Sequence, residues 1–289
     1  MNDRIKGMLY VVAAVFIFSV VNALIKECSA RYPINEIVFF RFLPSLIPTA
    51  IILYLQEGSR GFRPTAWKFQ TLRAISGTFG LGCMFYSFGH MPLADAIAIT
   101  FSSILFSILV AFPLLKEKPT PRHIVAVLIG FMGVLLIARP SGHVLNIVAI
   151  IAVLGAAIDS VTMTTGRKLC LEGASAADIA FYYGVVASVV AGVTLPFWYV
   201  MPSLEDFCLL TLMGIGGGIG QYFIAMGFAR APTAIAAPMI YTSMVWSLLF
   251  GYAFWGEIPA LISIVGISLI IIGGLYIGYL ESRGKRAIA

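Results

Sequence analysis

Charge is scarce in this sequence. Lys, Arg, Asp and Glu make up only 11% of its 289 residues, and apolar residues make up 60%. A soluble domain averages roughly 25% charged residues. So few charges cannot cover a water-soluble body of this length; lipid is the solvent in which an apolar exterior is stable. Cysteine is also sparse: Cys28, Cys83, Cys170 and Cys208 form no CxxC pair, which argues against a disulfide framework or a thiolate metal site. The three histidines, His90, His123 and His143, all fall near the ends of apolar runs. There is no HExxH, no GxSxG and no pair of aspartates deep in apolar runs, so the parts of an intramembrane hydrolase are missing. Neither a metal nor a cofactor is expected, and the chain does not read as an enzyme.

What the sequence has is apolar runs of the length that crosses a bilayer, about 20 residues as helix. Ten are expected: 7–25, 34–55, 68–89, 93–115, 122–138, 145–166, 177–200, 207–229, 232–255 and 260–280. The second carries Arg41, Pro44 and Pro48, and the third and eighth are rich in glycine. The first is longer than the ~7–15 residues of a signal-peptide core and lacks a small-x-small cleavage site, so it reads as an uncleaved helix. With the N-terminus in the cytoplasm, fifteen Lys and Arg fall inside, three outside (Lys26, Arg31 and Arg139), and Arg41 lies within a run. This bias places both termini in the cytoplasm and accounts for the net charge of +6 without nucleic acid.

The chain also overlays on itself. At a shift of 140 residues, the stretch from Met91 matches that from Ala231: Pro92 meets Pro232, Ser103 meets Ser243, Glu117 meets Glu257 and Pro119 meets Pro259. Gly77, Gly80 and Gly133 meet Gly217, Gly220 and Gly273 at the same shift. A shift of 142 puts EIVFFR at 36–41 over DIAFYY at 178–183, and a shift of 141 puts Lys26 over Arg167. Each half, 1–142 and 143–289, would hold five helices, an odd number, so the second must enter the membrane inverted. The expected fold is all-α, with ten transmembrane helices in two inverted five-helix repeats. The glycine cluster GIGGGIGQY at 214–222 lacks the GxGxxG spacing and a preceding strand, so it reads as a packing seam rather than a phosphate loop.

The ends LLKEKP and FWGEIP, the FFRF of the second run and the inverted halves resemble the EamA family of the drug/metabolite transporter superfamily. Gly256, Glu257 and Pro259 match that family's closing motif; the first copy has Lys116 where the family usually has glycine. The resemblance covers nearly the whole chain and implies a multi-pass inner-membrane carrier of small organic solutes. Pro119 and Pro259 suit first turns of helices, and Glu117 and Glu257 suit the positive N-termini there.

Ionisable and polar groups inside the runs are the candidate functional residues. Arg41 lies roughly 10 Å below the outer edge, while Arg73 and Asp159 lie roughly 9 Å from the cytoplasmic edge. Depth favours pairing Arg41 with Asp95 and Arg73 with Asp159, as gate or structural pairs; snorkelling to headgroups is the plainer role for Arg73. Asp159, the acid farthest from a helix end, is expected to face a cavity, with protons as a candidate coupling ion. Phe101, Ser102 and Ser103 align with Tyr241, Thr242 and Ser243 near mid-bilayer, and Trp246 follows a turn later. Such hydroxyls and aromatics would line a substrate pocket, unless each hydroxyl bonds back to its own helix. Tyr86 and Gln221, from the glycine-rich runs, are further candidates.

The expected function is secondary transport by alternating access of an amino acid, vitamin, nucleotide-like or cationic compound, with solute and lipid as partners. A passive channel is the runner-up and an intramembrane enzyme ranks below it; oligomeric state has no sequence signal. Cysteines introduced into the 56–67 loop should be shielded from impermeant maleimide in intact cells and should react in inside-out vesicles. Labelling of that loop in intact cells would reverse the orientation.

Overall fold

The structure, a computed structural model, describes residues 3–115, 121–138, 147–230 and 239–286. The described residues are helical with short turns and contain no strand. The elements are α1 (Asp3–Cys28), α2 (Ile34–Phe42), α3 (Leu46–Glu57), α4 (Trp67–His90), α5 (Leu93–Thr100), α6 (Ser102–Leu115) and α7 (Pro121–Ala138). The second half supplies α8 (Ile147–Leu171), α9 (Ala176–Thr194), α10 (Leu204–Arg230), α11 (Thr242–Trp255) and α12 (Leu261–Arg286). Lys116, Glu117, Pro119, Arg139 and Pro232 of the sequence reading lie outside the described residues.

Six segments are long and apolar enough to cross a membrane by length and composition: Ile5–Cys28, Ile34–Glu57, Leu93–Leu114, Ile147–Leu171, Ala176–Phe197 and Leu204–Ile224. Two shorter apolar helical stretches, Leu128–Ile137 and Leu261–Tyr276, accompany them. Their outward faces carry large apolar side chains such as Leu55, Val193, Leu212 and Leu261. An apolar surface of that extent is stable only against hydrocarbon.

Three of the expected runs are interrupted among the described residues. The run at 34–55 breaks between α2 and α3, where Pro44 can neither donate to the helix ladder nor avoid the carbonyl a turn earlier. The run at 93–115 breaks at Phe101, whose N–H is shared between the Ile97 and Ala98 carbonyls at 3.3 and 3.1 Å. The run at 232–255 breaks at Tyr241, immediately before α11, which has nearly the same backbone angles as Phe101 (φ −67°, ψ −12° against φ −64°, ψ −15°).

The most extensive helix pairs, α4 with α8, α1 with α10 and α7 with α12, each join the first half of the sequence to the second. In lipid there is no hydrophobic drive to bring helices together, so close backbone approach must supply the contact. Glycine permits it. A Cβ on Gly80 would sit 3.2 Å from the Gly155 carbonyl and Asp159 N on α8. Gly133 and Gly266 face each other across α7 and α12 so closely that either Cβ would strike the other's carbonyl.

Gly133→Ala should therefore lower the melting temperature of the detergent-purified protein, because overpacking against backbone costs about 1–3 kcal/mol. Gly82→Ala, whose Cβ would meet only Ile34 Cγ2 at 4.0 Å, should leave it unchanged. Equal melting of the two variants would remove Gly133 from the seam.

Candidate functional site

The helix breaks bring the two halves together at the centre. The Phe101 and Tyr241 rings lie 5.0 Å apart with a 40° interplanar angle. The Tyr241 hydroxyl occupies the space left by the missing side chain of Gly274 on α12. Of the hydroxyls at these positions, Ser102 donates to the Ile99 carbonyl at 2.6 Å and Thr242 to the Met239 carbonyl at 2.6 Å. They are satisfied within their own helices, as serine and threonine commonly are in apolar surroundings. The repeat mates Ser103 and Ser243 differ: Ser103 reaches Met163 Sδ across to α8 at 3.6 Å and faces the Asp159 carboxyl, and Ser243 Oγ is buried without a partner among the described residues.

Asp159 lies within electrostatic reach of Arg73 without a direct ion pair. Arg73 does not snorkel. It turns inward, donates to the Thr162 carbonyl and places its cation 5.4 Å from the Tyr183 ring. Thr162 in turn contacts Ser76 Oγ at 3.0 Å. Tyr183 was not singled out by sequence reasoning, yet it is buried at the meeting point of α4 and α9 and couples electrostatically to Asp159, Arg73 and Arg41. Its ring packs on Phe42 at 5.0 Å. The signal was present in the 142-residue shift, which lays Arg41 over Tyr183.

Arg41 does not pair with Asp95. Its cation rests 5.9 Å from Phe18 and 5.6 Å from Phe42, in space that a Cβ on Gly217 would fill. Asp95 instead accepts a hydrogen bond from Ser263 on α12 at 3.1 Å. Depth alone brought Arg41 and Asp95 together; their directions around the helices keep them apart. Gly77 and Gly217 are repeat mates, and they cradle the repeat mates Tyr183 and Arg41 respectively.

The remaining candidates lie outside the Arg41–Tyr183 neighbourhood. Trp246 packs edge-on to Phe16 of α1 at 4.9 Å and near Phe250 at 6.4 Å, and its indole N–H is buried without a partner among the described residues. Tyr86 stacks on His90 at 4.1 Å near the end of α4. Gln221 is exposed on α10.

Polar contacts cross-link the end of the bundle that holds Lys26. Lys26 pairs with Glu257 at 2.5 Å, donates to the Met91 carbonyl at 2.9 Å and lies 5.2 Å from the Trp255 ring. The second Glu257 oxygen accepts the Leu93 N–H at 2.9 Å. Glu257 thus caps α5, not the helix that follows it. Gly256, at φ +63°, turns the chain out of α11 in the left-handed region that glycine tolerates and positions that carboxylate. Nearby, Asp206 takes Arg31 at 2.9 Å and Tyr32 at 2.7 Å. The bonds to Glu27 and Asp206 raise the Arg31 pKa above its ordinary value. A further pair of mates ties each end: buried Glu36 accepts the Val200 N–H at 3.1 Å, and buried Asp178 accepts the Thr65 N–H at 3.4 Å.

Known proteins share this arrangement of chain. The EamA-like transporter family model matches residues 5–139 and again 147–279. The pseudopaline exporter CntI of Pseudomonas aeruginosa is 33% identical over 273 residues, covering 92% of this chain and 93% of its own. The S-adenosylmethionine uptake transporter of Rickettsia prowazekii is 25% identical over 291 residues, covering 98% and 97%. A solved crystal structure, 21% identical, covers 96% of this chain and 98% of its own with a TM-score of 0.65, which shows the shared fold. This multi-pass membrane protein belongs to the EamA-like transporter family.

Proposed function

We propose that the chain is a secondary transporter that moves a small organic metabolite across the inner membrane by alternating access, with both termini cytoplasmic. It would do so between two inverted five-helix halves, residues 1–142 and 143–289. The observation that carries this reading is the pair of helix breaks at Phe101 and Tyr241, equivalent positions 140 residues apart whose rings meet between the halves. Broken helices near the midplane at a repeat interface are where secondary transporters hold their solute. The two matches to one family model, one per half, support the duplication. The Lys26–Glu257–Leu93 tie supports one closed end, as alternating access requires.

The solute site is assigned to Phe101, Ser103, Asp159, Tyr241, Ser243 and Trp246. The unpartnered Ser243 hydroxyl and Trp246 indole N–H are groups a solute can satisfy, and buried polar atoms without partners are uncommon. Ser102 and Thr242 contribute backbone and shape. The two named relatives carry different solutes and are named for opposite directions, export and uptake, so the likeness sets neither solute nor direction. The reading excludes catalysis on the solute.

Reconstituted protein should take up one member of a panel of radiolabelled amino acids, vitamins, nucleosides and S-adenosylmethionine with saturation and counterflow exchange. Linear, non-exchanging flux would make it a channel, and chemical conversion of the solute would make it an enzyme. Asp159→Asn should reduce uptake severalfold with near-normal melting, since it removes a charge and little volume; unchanged uptake from pH 5 to 8 would take Asp159 out of the mechanism. Tyr241→Ala and Trp246→Phe should each weaken solute binding, Tyr241→Ala by up to about tenfold for a lost aromatic contact of roughly 0.5–1.5 kcal/mol. Full affinity in both variants would move the site elsewhere.

A further inference from the structure

We propose that Arg41 is the receptor for a carboxylate of the transported solute, with Tyr183 within electrostatic reach of it. The proposal rests on the transporter reading above and names the solute class: metabolites bearing a carboxylate group.

Arg41 is 8% exposed and lies in the interior of the second apolar segment. Among the described residues it makes no ion pair and no hydrogen bond, so its five N–H donors find no acceptor there. Its neighbours are the Phe18 and Phe42 rings, which attract the charge but accept no planar hydrogen bond. Arg73 shows the contrast: it donates to the Thr162 carbonyl and has Asp159 within electrostatic reach, and only its Nε is left buried without a partner. A buried cation left without an acceptor is strongly unfavourable.

The surroundings hold Arg41 in place nonetheless. Gly217 gives up its side chain to make room for the guanidinium. Tyr183 shares Phe42 as a packing partner, is also 8% exposed and has no hydrogen-bond partner among the described residues. It lies within electrostatic reach of Arg41. Two donors from opposite halves thus stand near each other with nothing to donate to. A guanidinium matches a carboxylate with two parallel N–H···O bonds. A single positive charge balances a monoanion, whereas a phosphate dianion would leave excess charge in an apolar setting.

The test uses the full-length protein in nanodiscs and measures thermal stabilisation by matched acids and amides: amino acids and their amides, nicotinate and nicotinamide, pantothenate and pantothenol. Chloride and inorganic phosphate are run alongside. At least one acid should stabilise the unaltered chain at a concentration about tenfold below that of its neutral partner. Arg41→Gln should abolish that preference, and Arg41→Lys should keep part of it. The inference is overturned if no acid stabilises, if acid and neutral partner stabilise alike, if the preference survives in Arg41→Gln, or if phosphate or chloride acts as well as any acid. Should Arg41→Gln fail to fold, the acid-against-amide comparison on the unaltered chain and on Arg41→Lys decides. Saturable transport of only neutral or cationic solutes would sink this inference and leave the transporter reading intact; absence of any solute flux would sink the transporter reading first.

Discussion

Close approach of helices where a side chain is missing is the constraint on which the rest of the bundle depends. Gly80 and Gly155 bring α4 onto α8, and Gly133 and Gly266 bring α7 onto α12. At Gly77 and Gly217 the missing side chain makes room for another residue's polar head instead of for backbone. Tyr183 and Arg41 could not lie where they do if either glycine carried a Cβ. The same residue type therefore builds the seams and opens the polar centre. The glycine density that suggests a nucleotide loop in a soluble protein has a different cause in lipid.

The polar contacts follow an order that repeats in each half. Glu36 and Asp178, at the first turns of α2 and α9, each capture a backbone N–H from the loop that follows the helix opposite. Ser103 and Ser243 are the mates whose hydroxyls do not turn back on their own helices. Phe101 and Tyr241 mark matching breaks. The halves are not copies in detail: Arg41 is a cation where its mate Tyr183 is a phenol, so at that position only one half carries a charge.

The sequence made the helical, membrane-spanning character and six long apolar segments legible, because hydropathy depends only on position along the chain. Direction around a helix was less legible. Arg41 and Asp95, expected to pair, turn to different neighbours, and Arg73 turns inward to Thr162 instead of outward to headgroups. Glu257 illustrates the same point. Its place before Pro259 suggested a cap on the following helix, but the turn at Gly256 delivers it to α5 and Lys26. Such partners come from distant segments, and one chain read alone holds no record of which faces meet. The relation of Tyr183 to Arg41 is written in the 142-residue overlay, which aligns the two.

That α1 packs on α10, α4 on α8 and α7 on α12 bears on how the protein is made. A ribosome delivers the first half to the membrane before the second exists. Through that interval α4 and α7 present glycine-lined faces, and α1 the apolar face that α10's glycines later meet, to lipid or to the insertion machinery, with their main partners still untranslated. Assembly is therefore a late event, and it couples two stretches far apart in sequence, the kind of contact that forms slowly. The first half alone lacks its principal interfaces. Two separately synthesised halves, by contrast, hold between them every surface that the joined chain uses to close.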